Sequence, residues 1–291
     1  MSDRLTVNKT YKLYIDGAFV RSESGASIGV EDSSGAVMAH LCRASRKDLR
    51  ESVEKAIAGF DRWNGMTAYN RGQVLYRMAE MLEGKAEEFS HTLMETCGYK
   101  AVQARNEVAM SVDRLVGFAG WADKFQQVIG CHNPVAGPYY NFTVPQAIGV
   151  TGVVAPNEPP LLALVTMIAG PLTCGNSIVA LASEKYPLPA AILGEVCATA
   201  DVPAGAINIL TGRRADLLSH LADHRRVMAI TAAGVSGNMA ELLRCGASEN
   251  IKRVTIYKAS KADWTKDEKW LAPWRLEEHV DAKTIWHPSA T

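Results

Sequence analysis

From Ile148 to Tyr257 the sequence alternates short, unbroken apolar runs with helical stretches, joined by Gly- and Pro-rich links. Ile148–Ala155 (IGVTGVVA), Ser177–Leu181, Ala206–Leu210, Val227–Thr231 and Lys252–Tyr257 have the texture of parallel strands buried on both faces. Between them, Leu161–Cys174, Pro187–Ala200, Leu217–Ala222 and Gly237–Gly246 read as helices. Strands and helices in strict alternation form βαβ units. The expected fold is therefore α/β, a doubly wound parallel (Rossmann-like) sheet. Such a sheet binds ligands beyond the carboxyl ends of its strands, here around Ala155–Glu158, Ala182–Lys185, Thr211–Arg214 and Ala232–Ser236.

The region before it is mainly helical. Tyr14–Val20 predicts a hairpin, because Asp16-Gly17 supplies a tight turn between two apolar strands. Ser45–Asp48 has the pattern of a capping box. After it, Leu49, Val53, Ile57 and Phe60 share one helical face. A second helix after Asn70 carries Val74, Met78 and Leu82. A third, over about 101–125, carries Val108, Val112, Leu115, Phe118 and Ala122. Asn133–Pro145 is a connection with a strand-prone core at Tyr139–Val144. Beyond Tyr257 the chain is first polar. Then Trp264, Trp270, Trp274 and Trp286 place four of the six tryptophans in the tail as core or interface anchors, and His279–His287 alternates like a strand. Such a strand either completes its own sheet or adds to a partner's edge.

Lys+Arg 31 balance Asp+Glu 31, which disfavours nucleic acid as a partner. Leu161–Leu172 is too short to span a bilayer, and Met1–Lys12 lacks the apolar core of a signal peptide. The six cysteines form no CxxC pair, which suits free thiols in a reducing cytoplasm. His220 and His224 have the spacing of a metal pair without a third ligand, so no metal is expected and a solvated helix end is the simpler reading. Arg213-Arg214 and Arg225-Arg226 read as solvated surface, with phosphate binding as the alternative.

From about Tyr11 to Tyr257 the sequence resembles the aldehyde dehydrogenase superfamily. Tyr14–Gly17 is similar to its "hxINGxfV" opening, and Ala119–Lys124 to "yaGWADKi". Gly149–Val154 is similar to the start of "GVVGxIxPWN", and Val202–Gly212 to "xPPGVxNxxxG". Arg71 with Leu75 and Ala79, and Glu95–Gly98, add weaker matches.

The resemblance implies a thiolate nucleophile, an oxyanion donor, a general base and a nicotinamide cofactor. Few of these carry over. Asn157 matches the family asparagine that donates to the oxyanion; the alternative is that it caps the helix starting near Pro159. The ribose-binding "KPAE" reads Leu181-Ala182-Ser183-Glu184, leaving Glu184 alone, with Lys185 displaced. "FTGSxxxG" keeps Thr231 and Gly237 but sets Ala232 and Ala233 where a bare pyrophosphate loop is needed. "ELGGK" reads Tyr257-Lys258-Ala259-Ser260-Lys261, a phenol in place of the base.

No cysteine follows Cys245, so the resemblance implies a member without its catalytic domain, like the truncated C-terminal domain of the aldehyde dehydrogenase 16 type. On this reading no residue is catalytic and Asn157 is vestigial. The cofactor-binding candidates are Asn157, Glu184, Thr231 and Gly237, with NAD or NADP binding possible but weakened by Leu181, Ala232 and Ala233. Residues 1–260, including a hairpin at 138–148, form the cofactor-binding domain. Residues 261–291 form a linker and oligomerisation strand. The expected role is assembly, through 138–148 and 277–289, with itself or an intact aldehyde dehydrogenase. A nucleotide-binding module and a subunit of a working NAD(P)-dependent enzyme remain the alternatives.

Overall fold

The computed structural model describes residues 7–258 and 262–289; residues 1–6 and the last three positions of the 257–261 motif lie outside them. The chain opens with β1 (Lys9–Tyr11), β2 (Leu13–Ile15), β3 (Ala18–Val20), β4 (Ser27–Glu31) and β5 (Val37–Cys42). Helices α1 (Arg46–Asn64), α2 (Ala68–Gly84), α3 (Ala86–Cys97), α4 (Ala101–Trp121) and the short α5 (Phe125–Ile129) follow. Then come β6 (Cys131–Asn133), β7 (Tyr139–Ala147), β8 (Val150–Val154), α6 (Leu162–Thr173), β9 (Ser177–Leu181), α7 (Leu188–Thr199), β10 (Ile207–Leu210), α8 (Arg214–Asp223), β11 (Val227–Ala233), α9 (Gly237–Ser248) and β12 (Arg253–Tyr257). The tail adds α10 (Asp267–Trp270), a 3-10 segment Pro273–His279 and β13 (Val280–Pro288).

The main sheet has the order β12-β11-β8-β9-β10-β2-β3. Its first five strands are parallel and are joined in chain order by helices α6, α7, α8 and α9, which is the doubly wound arrangement expected. Strands β8 and β9 are buried along their whole length because helices cover both faces. The predicted hairpin joins this sheet by pairing β2 antiparallel to β10. Its turn is of the I′ kind, with Asp16 and Gly17 at φ of 54° and 77°.

The capping box forms as read: Ser45 accepts from the Asp48 N–H, and Asp48 returns a contact to the Ser45 N–H. The second helix begins earlier than read, capped by Thr67, and the third stops at Trp121 before the chain re-enters α5 with Phe125 buried. A small sheet of β1, β5 and β4, and helix α3, were not foreseen. No helix among the described residues is long and apolar enough to cross a membrane.

The tail packs onto the domain. Its strand β13 pairs antiparallel with β7 over nine residues, from Val280 opposite Ala147 to Pro288 opposite Tyr139, so it completes a sheet of its own chain. Arg114, fully buried in α4, donates to the Trp264 carbonyl (2.9 Å), to Asp267 (2.8 and 3.1 Å) and to Thr166 Oγ1 (2.7 Å). Trp264 and Trp270 are buried and stacked at 4.3 Å, whereas Trp274 and Trp286 stay exposed, so only two of the four tail tryptophans anchor the core. Gly117 gives the tail room, since a Cβ there would lie 2.5 Å from Leu271 Cδ1. Asn176 ties three segments together, accepting from the Ile148 and Gly149 N–H groups and donating to the Pro171 and His279 carbonyls.

Candidate functional site

Two of the four candidate residues, Asn157 and Glu184, lie at the carboxyl ends of β8 and β9. Asn157 lies just beyond β8. Its Oδ1 accepts from Ser183 Oγ (3.3 Å), the Lys185 N–H (3.3 Å) and the Arg214 guanidinium (3.4 Å). Asn157 does not cap the next helix. The buried carboxylate of Glu107, from α4, accepts the Leu161 and Leu162 N–H groups at 2.8 and 3.1 Å and takes that place. Burial raises the Glu107 carboxyl to about 7, with Glu158 adding to the rise and the two N–H bonds opposing it. Sequence reasoning missed Glu107, because 54 residues separate it from the helix it caps.

Glu184 follows β9, but its Oε2 accepts from the Arg214 N–H at 3.4 Å, at the start of α8. Leu181 is sealed into the core that includes Val154, Leu217 and Leu221. Lys185 pairs with Glu158 at 3.8 Å and covers the Tyr186 ring. Thr231 is buried inside β11 and lines a small internal cavity with Thr166, Tyr257, Trp270 and His279, away from the strand ends. Gly237 is the exposed first residue of α9, whose cap Ser236 accepts the Met239 N–H; a Cβ at Gly237 would meet nothing within 4 Å. Asn157, Glu184 and the Arg214 side chain thus come together. Thr231 and Gly237 stand apart from that cluster.

Arg214 corrects the reading of a solvated surface arginine: it is 5% exposed. Its guanidinium donates to the Ala155 carbonyl at the end of β8, to the Gly234 carbonyl at the end of β11 (3.2 Å) and to Asn157. Burial lowers its pKa and Glu184 opposes the fall. Tested against a dinucleotide, this set does not fit. Leu181 offers no donor to a ribose and a buried guanidinium bridges the ends of β8 and β11, while the exposed Glu184 carboxylate keeps acceptor capacity beyond its one 3.4 Å contact.

The position that resembles the family base is turned to another use. Tyr257 OH donates to Glu278, and its ring meets Trp264 and Trp270 edge-on at 6.2 and 5.0 Å. Burial, with Glu278 alongside, raises its pKa further above that of an ordinary phenol. Of the thiols, Cys131 and Cys245 are exposed. Cys42, Cys174 and Cys197 are buried. Cys97, at the end of α3, is the thiol that feels Glu107, Glu158 and Lys185, and burial pushes it up to about 12. A neutral thiol is a poor nucleophile at neutral pH. His224 Nδ1 accepts the Arg226 N–H, and no cluster of three metal-ligating side chains occurs among the described residues.

Comparison with known proteins agrees with this architecture. Residues 19–265 match the model of the aldehyde dehydrogenase family. The chain is 32% identical over 255 residues to aldehyde dehydrogenase family 2 member B4, mitochondrial, of Arabidopsis thaliana, covering 86% of this chain and 47% of that protein. It is 30% identical over 267 residues to the cytosolic 10-formyltetrahydrofolate dehydrogenase of Xenopus laevis, covering 89% and 29%. It superposes on the aldehyde dehydrogenase of Bacillus cereus solved with NAD+ with a TM-score of 0.81 at 24% identity, over 86% of this chain and 51% of that one. The chain thus spans about half the length, or less, of the relatives it matches. With the doubly wound sheet, the ordered motifs and these matches in agreement, the chain belongs to the aldehyde dehydrogenase family.

Proposed function

We propose that this chain is a catalytically inactive aldehyde dehydrogenase-like protein whose role is assembly, with itself or with an intact aldehyde dehydrogenase. The observation that carries the reading is the sheet of β6, β7 and β13. Its edge strand β13 runs for nine residues, mostly exposed, and Trp286, Tyr139 and Tyr140 stand 59%, 46% and 50% exposed beside it. Trp286 and Tyr139 meet edge-on on one face, while Tyr140 stacks with His132 and packs on Phe142 on the other. Exposed Trp and Tyr mark the centres of protein interfaces. A long edge strand left to water invites pairing with another chain.

The site supports the inactive half of the reading. Tyr257 anchors the tail where the family resemblance sets a base, and the thiol nearest in charge to Glu107 and Glu158 is protonated. The six free cysteines suit a reducing cytoplasm, where we place the protein.

Native mass spectrometry of the full chain tests the assembly role. A dimer or larger species is expected at micromolar concentration. Trp286→Ala is expected to weaken association about 30-fold, the roughly 2 kcal/mol of an interface anchor. A soluble monomer that also fails to join an added aldehyde dehydrogenase overturns the reading.

A further inference from the structure

The strand order of the main sheet reverses between β8 and β11: β9 and β10 lie to one side of β8, and β11 and β12 to the other. In a doubly wound sheet the crevice outside the carboxyl ends at this reversal is where a dinucleotide lies. Arg214 occupies that point. One end of its guanidinium holds the Ala155 carbonyl, just past β8, and the other the Gly234 carbonyl, just past β11. Asn157 Oδ1 completes the set. With its side chain buried, the cation bridges the two strand ends.

We propose that Arg214 closes the dinucleotide crevice of this chain from within. The proposal does not depend on the assembly role, since an oligomer forms equally well with the crevice open or shut. Three features argue for a closure and against a phosphate clamp. Nη2 donates to both the Ala155 carbonyl and Asn157 Oδ1 and Nη1 to the Gly234 carbonyl, so an end-on bidentate pairing with a phosphate would displace one of the Nη2 bonds. Nε has no partner, so the guanidinium is seated for the two carbonyls at the expense of its remaining donor. The Glu184 carboxylate holds the Arg214 main-chain N–H, which fixes the root of the side chain at the first residue of α8.

Closure and clamp make opposite predictions when the side chain is removed. Binding of NAD+ and NADP+ to the full chain is measured by ligand-observed NMR titration, with folding of each variant checked by circular dichroism. Wild type is expected to bind either nucleotide no more tightly than about 1 mM. Arg214→Ala, which keeps the helix start, is expected to bind at least about tenfold more tightly than wild type. Arg214→Lys, whose single ammonium cannot hold both carbonyls as a planar fork does, is expected to lie between them and stands in should the alanine variant fail to fold. Wild-type binding clearly tighter than about 1 mM overturns the proposal. So does a folded variant that binds as wild type does or more weakly, the second being the mark of a clamp.

Discussion

Replacing Arg114 by leucine is expected to lower the stability of the fold by about 3 kcal/mol and to free the tail. The guanidinium is fully buried and joins α4 to Thr166 in α6 and to Trp264 and Asp267 in the tail. Removing one member of a buried ion pair costs about 3–5 kcal/mol when the charge left behind is stranded. Here that charge is Asp267, whose side chain is 48% exposed and can turn to water, which sets the loss at the lower end. The larger part of the loss comes from the Trp264 carbonyl, which then lacks its buried donor, at about 1–3 kcal/mol. Trp264 and Trp270 form the stacked pair against which Tyr257 rests, so the whole anchor loosens. Urea unfolding reads the stability as a midpoint shift at constant slope, and limited proteolysis across 258–269 reads tail release. A loss below about 1 kcal/mol, within the range of a surface ion pair, contradicts this account of the tail.

Gly59→Ala is expected to cost a similar amount, for a different reason. Gly59 lies inside α1, where alanine is normally better than glycine by about 1 kcal/mol. A Cβ at this position, however, would stand 2.1 Å from the Gly205 carbonyl carbon, 2.3 Å from its oxygen and 2.5 Å from the Ala206 nitrogen. All three are main-chain atoms of the turn that feeds β10, and no rotamer change relieves the overlap. Overpacking costs typically about 1–3 kcal/mol, and more where neither side can yield. The steric term therefore exceeds the helix propensity gain, and a net loss of about 3 kcal/mol is expected in the same urea assay. A variant as stable as wild type, or more so, contradicts the close seating of α1 against that turn.

Much of the parallel half was legible in the sequence. Ser177–Leu181 is read to the residue, and Val150–Val154, Ile207–Leu210 and Arg253–Tyr257 to within two, because strands buried on both faces need continuous apolar runs. The strands Ser27–Glu31 and Val37–Cys42 escaped notice because they are partly exposed and carry Gly29, Glu31 and His40 among their apolar residues. Helix Ala86–Cys97 hid behind a face with only Phe89 and Leu93 as large buried apolar residues. The site was less legible. The matches at Asn157, Glu184, Thr231 and Gly237 gave positions along the chain, but what each contacts is set at long range. Arg214 reaches Ala155 across 59 positions and Arg114 reaches Trp264 across 150. No local spacing encodes such a pairing. An arginine pair in a turn therefore reads as surface until the strand ends are seen to converge on it.

On the proposed reading this chain keeps the family scaffold but does not oxidise aldehydes. Aldehyde-dependent formation of NADH or NADPH by the purified chain, followed by absorbance over a range of short aldehydes, tests it most directly. The account predicts no rate above the protein-free baseline, in wild type and in Cys97→Ser alike. Steady turnover by wild type that disappears in Cys97→Ser or Asn157→Ala contradicts it.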